Sequence, residues 1–276
     1  MTGTTAKTAV TADEVAQMAA GPKSTTPGRL GALGRAEFTL LVRNRTALFS
    51  ALFVPIVMVV AIKSSLDRID LSSTGISAVE AAMTGGVGMA LIMIIYSNLV
   101  SAYTARREQL VLKRLRTGET SDREILIGTA LPAATLAVGQ CAVMVAAGVA
   151  FLGLGGPRRP ELLVCGMLAG IVLLTALAAV TAAFTRSPES AQITTMPLFL
   201  VSALGSGLFI PLEALPDRIA FVCELLPTTG VMTLIRAGWL GGTDGADVLG
   251  AAVNAVVWTV LAVFAVQRWF RWEPRR

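Results

Sequence analysis

Histidine is absent from this chain of 276 residues, and cysteine is limited to Cys141, Cys165 and Cys223, far apart in the sequence. That inventory cannot assemble a zinc site, a Ser/His/Asp triad or a Cys/His pair. Cys141 and Cys165 fall inside apolar runs, where they read as small buried residues, and no disulfide framework is suggested. A Gly-Lys pair is also missing, which excludes the G-x-x-x-x-G-K-[ST] phosphate loop and with it that mode of ATP binding. Charge is scarce: 15% of residues are charged, against about 25% in a soluble domain. Ionisable side chains are nearly absent from the middles of the long apolar runs, although ion-driven carriers and proton relays depend on them. Any transport by this chain must therefore draw its energy from another protein.

Apolar residues fill the gap, at 54% of the chain. They come in runs of about twenty, long enough to cross a bilayer core of roughly 30 Å as helix. The pattern predicts an all-α integral membrane protein with six transmembrane helices over about 46–62, 79–103, 124–152, 161–184, 193–210 and 248–267. Pro55 and Pro132 fall inside the first and third, and Gly85, Gly86 and Gly88 would let the second approach its neighbours closely. Residues 1–28, rich in Thr, Ala, Gly and Pro, are expected to be a disordered tail, and 271–276 a short terminal tail, with 29–270 as one transmembrane domain. An amphipathic interface helix is expected over 29–45.

The net charge of +5 does not point to nucleic acid, because the basic residues flank the apolar runs instead of forming an aromatic-interleaved patch. With the N-terminus inside, seventeen of the 23 basic residues fall on cytoplasmic segments. The positive-inside rule then puts both termini in the cytoplasm.

Two segments carry more than topology. Between the second and third spans, RREQLVLKRLRTGETSDREILIG (106–128) reads as a short cytoplasmic helix, a stop at Gly118, and a Ser121/Glu124 capping box that opens the third span. On that helix Val111, Leu112 and Leu115 make one face, and Arg106, Arg107, Lys113, Arg114 and Arg116 the opposite one. Glu108 projects onto the apolar face between Thr104 and Leu112, with no basic residue well placed on its own helix. A carboxylate there calls for a partner elsewhere, the bland reading being a solvated residue at a frayed helix end. The second segment, 210–239, is too apolar for an ordinary loop and too interrupted for an ordinary span, with Pro211, Glu213, Pro216 and Pro227 breaking it. It reads as a re-entrant helical hairpin on the outer side or as an interfacial loop with amphipathic turns.

Six spans, a basic surface helix before the first, a coupling segment after the second and a proline-broken hairpin before the last resemble the type-2 ABC exporter permeases. The closest motifs are REQLVLKRLRTGETSDREILIG, FIPLEALPDRI and LLPTTGVMTLIRAG. Where the family often has Gly after the Glu and Pro in the turn, this chain has Gln109 and Thr117-Gly118-Glu119. The resemblance implies that segment 104–123, with Glu108, Val111, Leu112, Leu115, Arg114 and Arg116, docks in a groove of a separate ATPase subunit present in two copies. It also implies a second permease chain, identical or not, with Gly205 and Gly207 admitting its close approach. It implies residence in the plasma membrane, and no cofactor in this chain, ATP and Mg being held by the partner. Phe49, Phe53, Met58, Met93 and Tyr96 form an adaptable candidate substrate path, although each also suits a lipid-facing or packing role. With 6% aromatics, a small hydrophobic or amphiphilic, drug-like or antibiotic-like cargo fits better than a polysaccharide; lipid export is the alternative within the family. An ion-driven carrier and a non-transporting anchor or sensor are the alternatives outside it.

Overall fold

A long apolar chain satisfies its backbone inside a bilayer by closing every N–H and C=O within helices, and helices are what this sequence forms. The computed structural model describes residues 78–116, 121–206 and 216–270, together with positions 35, 39, 49, 53 and 57. The expected tails, most of the interface helix and first span, Met58, Pro211 and Glu213 lie outside the described residues, as do the side chains of Lys113, Leu115 and Arg116. No strand occurs among the described residues.

α1 (Ala78–Leu91) runs without interruption through a π-helical segment, Ile92–Ser97, into α2 (Asn98–Glu108). The second span thus continues five residues past its expected end at 103. This rod is the axis of the bundle, with Met83, Val87, Leu91, Ile95 and Leu99 buried, and Gly85, Gly86 and Gly88 buried as well. A two-residue turn then leads to α3 (Val111–Arg116). The capping box forms as expected, Ser121 N–H donating to Glu124 Oε2 at 2.7 Å and Glu124 N–H to Ser121 Oγ at 3.3 Å. It starts α4 (Asp122–Leu152), which stops at Gly153 with φ of 65°. α5 (Pro160–Phe184) opens with proline, whose missing N–H costs nothing in the first turn. α6 (Ala191–Gly205), α7 (Asp217–Glu224), α8 (Thr229–Leu240) and α9 (Gly245–Trp269) are the remaining helices among the described residues.

Among the described residues four helices are long and apolar enough to cross a membrane, or five if the bent pair α7–α8 is one span. At 1.5 Å per residue, α5 and α9 reach about 37 Å and α4 about 46 Å. α6 has 15 described residues, short of a full crossing, and the expected end of the fifth span at 210 lies outside the described residues.

α8 is held between α5 and α9 by direct backbone approach. A Cβ on Gly238 would collide with the backbone of Leu163, one on Gly166 would sit 2.9 Å from the Ile235 amide nitrogen, and one on Gly230 would strike the Ala251 carbonyl. α7 meets α8 at an elbow of 94°. Asn254 Nδ2 donates to Glu224 O at 2.9 Å and Trp258 Nε1 to Leu225 O at 2.8 Å, so the elbow lies level with the middle of α9. On its other side Thr228 Oγ1 donates to Ser202 Oγ at 3.0 Å. Gly205, expected at a contact between copies, is instead buried beneath the chain's own Leu226 side chain. Cys165, expected to be buried, is exposed on α5, whereas Cys141 is buried.

Candidate coupling surface

The ends of α2, α5 and α9 come together at one face of the bundle. Tyr103 packs edge-on against Phe270, and Phe184 lies 6.4 Å from Trp269 between ring centroids. Tyr103 Oη also donates to the Leu126 carbonyl of α4 at 3.0 Å. Arg106 reaches Thr129 Oγ1 at 3.0 Å. Arg107 is turned inward, 1% exposed, and its guanidinium donates to the carbonyls of Ala182 at 2.7 Å, Thr185, and Arg186 at 3.5 Å. These carbonyls terminate α5, where the helix dipole concentrates partial negative charge.

This burial corrects the expectation of a basic outer face containing Arg107. The physical reason is the turn at Gln109–Leu110. Gln109 N–H donates to Ala105 O and Leu110 N–H to Arg107 O, both at 3.0 Å, while Leu110 has φ of 57°. Arg106 and Arg107 therefore follow the phase of α2, not that of α3. A left-handed conformation costs a non-glycine residue roughly 1–2 kcal/mol, and such strain persists only where its surroundings fix it. Here they do: Arg114 N–H donates to Leu110 O at 3.0 Å, and Leu112 is fully buried.

The same turn breaks the expected line of Thr104, Glu108 and Leu112. Thr104 and Leu112 are buried, but Glu108, the last residue of α2, is exposed along with Gln109 and Leu110. The result is a knuckle presenting a carboxylate, an amide and an isobutyl group together, on a foundation of buried Tyr103, Thr104, Arg107 and Leu112. Arg114 is exposed beside it and Val111 is half-buried. The sequence placed Arg107 on the outer basic face and could not reveal its inward role, because its acceptors lie more than seventy residues away.

The other candidate residues are dispersed. Phe49 and Phe53 are exposed and stacked on each other, ring centroids 5.0 Å apart. Met93 is exposed, but Tyr96 is buried and shares a 3.0 Å hydrogen bond with Thr181 Oγ1, so the two do not line one surface. Pro216 is exposed before α7, and Pro227 is buried in the elbow. A void of about 10 Å³ lined by Gly88, Leu91, Leu174, Thr228 and Val231 has room for one water and none for a transported molecule. Among the described residues no group of three or more His, Cys, Asp or Glu comes together as a metal site.

A family model described as ABC-2 type transporter matches residues 29–240. No curated protein matches the chain.

Proposed function

The chain belongs to the ABC-2 type transporter family, a family of membrane permease components and not of ATP-binding domains, and from that premise we propose that it is the permease subunit of an ATP-driven exporter. Each of two copies of a separate ATPase, carrying ATP and Mg, docks on the Glu108–Leu110 knuckle of one permease chain from the cytoplasm. The observation that supports this most directly is the knuckle itself. It joins a charged and an apolar group on an exposed turn whose base is fixed into three long helices, as a lever needs to be. A second permease chain, identical or not, completes the central path. The exposed row Ile193, Met196, Leu200 and Leu204 on α6 suits that contact. In this reading α7–α8 is a re-entrant hairpin on the outer side, both termini are cytoplasmic, and the plasma membrane is the site of action.

The cargo in this reading is a small hydrophobic or amphiphilic molecule, drug-like or antibiotic-like. Apolar Phe49, Phe53 and Met93 are open on the surface, while the scarcity of aromatics disfavours a glycan. The deciding experiment is affinity purification of the tagged chain from its native membranes, followed by ATP-dependent uptake of a lipophilic cationic dye into inverted vesicles. An ATPase subunit recovered with the chain and uptake that survives a proton uncoupler are the expected results. Uptake abolished by the uncoupler at constant ATP would indicate an ion-driven carrier instead.

A further inference from the structure

We propose that Arg107 is a positioning residue that carries movement of the knuckle to the α7–α8 elbow; the proposal rests on the reading of the knuckle as the ATPase dock. Arg107 directly precedes Glu108, so whatever displaces the knuckle pulls on its side chain. That side chain grips the last turn of α5 through carbonyls of Ala182, Thr185 and Arg186. A planar guanidinium meeting several acceptors fixes direction as well as distance, which a single ammonium does not. The residue is 1% exposed, and a buried cation is tolerated only when well coordinated.

Two continuous routes lead from this grip to the elbow. Along the first, Thr185 Oγ1 and Thr194 Oγ1 share a hydrogen bond of 2.9 Å, joining the end of α5 to the start of α6. The far end of α6 meets the elbow through Ser202 and Thr228, and through Gly205 under Leu226. The second route is α5 itself, whose Gly166 and Gly170 touch Ile235 and Val231 of α8. Close-packed helices move as bodies instead of deforming. A shift at Arg107 therefore reaches the elbow from α6 and from α5 together.

The test places nitroxide pairs in the full permease–ATPase complex, in a background free of native cysteines. One pair, at Arg114 and Glu189, spans the knuckle and the α5–α6 turn; the other, at Arg218 and Asp247, spans the elbow and the start of α9. Distances are compared without nucleotide and after trapping with MgATP and orthovanadate. In the wild type the first distance should stay constant while the second shifts. In Arg107→Gln the ATPase should remain bound, the first distance should broaden, and the second should lose its shift. Arg107→Lys keeps the charge but fewer hydrogen bonds, so it should show a reduced shift; it carries the test if the glutamine variant fails to fold. A full wild-type shift at the elbow in either variant, with ATPase bound, would overturn the proposal. A wild-type chain that holds no ATPase would overturn the docking reading instead.

Discussion

Glu108 is reached by water in the free chain, so its carboxylate becomes costly only when a partner covers it. Losing one member of a desolvated charge pair typically costs about 2–5 kcal/mol, much of it from the charge left unpaired. Glu108→Lys should therefore weaken ATPase association at least about thirty-fold while leaving insertion and folding intact. Glu108→Gln should be milder, since an amide still accepts one hydrogen bond. Co-purification of the ATPase at matched expression measures both, and wild-type recovery with the lysine variant would remove Glu108 from the interface. The neighbouring arginine shows where residue-level reading stops. Nothing local distinguishes Arg107 from Arg106 or Arg114; its acceptors belong to a helix end 75 to 79 residues away. Glu108 stands out on a helix read as continuous to Leu112, whereas the turn at Gln109–Leu110 leaves it exposed at the end of α2.

At the scale of elements, the capping box and the long apolar runs placed α4, α5 and α9 within three residues of their observed starts. The Gln109–Leu110 turn and the π segment were not legible, because leucine has no preference for positive φ and a π segment leaves no residue signature. Glycines divide the same way. Gly139 has nothing within 4 Å of an added Cβ, so Gly139→Ala should raise stability by about 0.5–1 kcal/mol through helix propensity alone. Gly238→Ala faces the backbone of Leu163, which cannot swing aside as a side chain can, and overpacking of this kind costs about 1–3 kcal/mol or more. Thermal unfolding of the detergent-solubilised chain should rank Gly139→Ala above wild type and wild type above Gly238→Ala. Equal melting of the two variants would show that α5 and α8 are free to part. Asn254 and Trp258 provide a further comparison, because each supplies a donor to an elbow carbonyl. Removing both donors, by Asn254→Leu with Trp258→Phe, should make the buried Cys223 thiol react faster with a maleimide.

For the whole molecule, the contacts of Arg107 with α5 and of Tyr103 with Phe270 put the knuckle, the α5–α6 turn and the end of α9 on one face. Arg158 N–H, donating to Trp239 O at 3.2 Å, and Arg159 N–H, donating to Gly238 O at 2.9 Å, mark the opposite face. Cysteines introduced at Arg114 and at Thr243 should accordingly be labelled from opposite sides of an intact cell, Thr243 from outside. Labelling of both by an impermeant reagent would break this arrangement. The elbow carries a consequence for how the chain is made. α8 has 12 residues, about 18 Å of helix, too short to be recognised by itself as a stretch to be threaded into the bilayer. Two donors that hold the elbow carbonyls, Asn254 and Trp258, lie in α9 and leave the ribosome after the elbow does. Until they arrive, the carbonyls of Glu224 and Leu225 lack these partners, and α8 has one wall of its slot missing. Synthesis therefore delivers α8 before the α9 wall of its seat has been made. Released chains truncated after Asp244 should leave α8 open to protease, whereas the full chain should protect it.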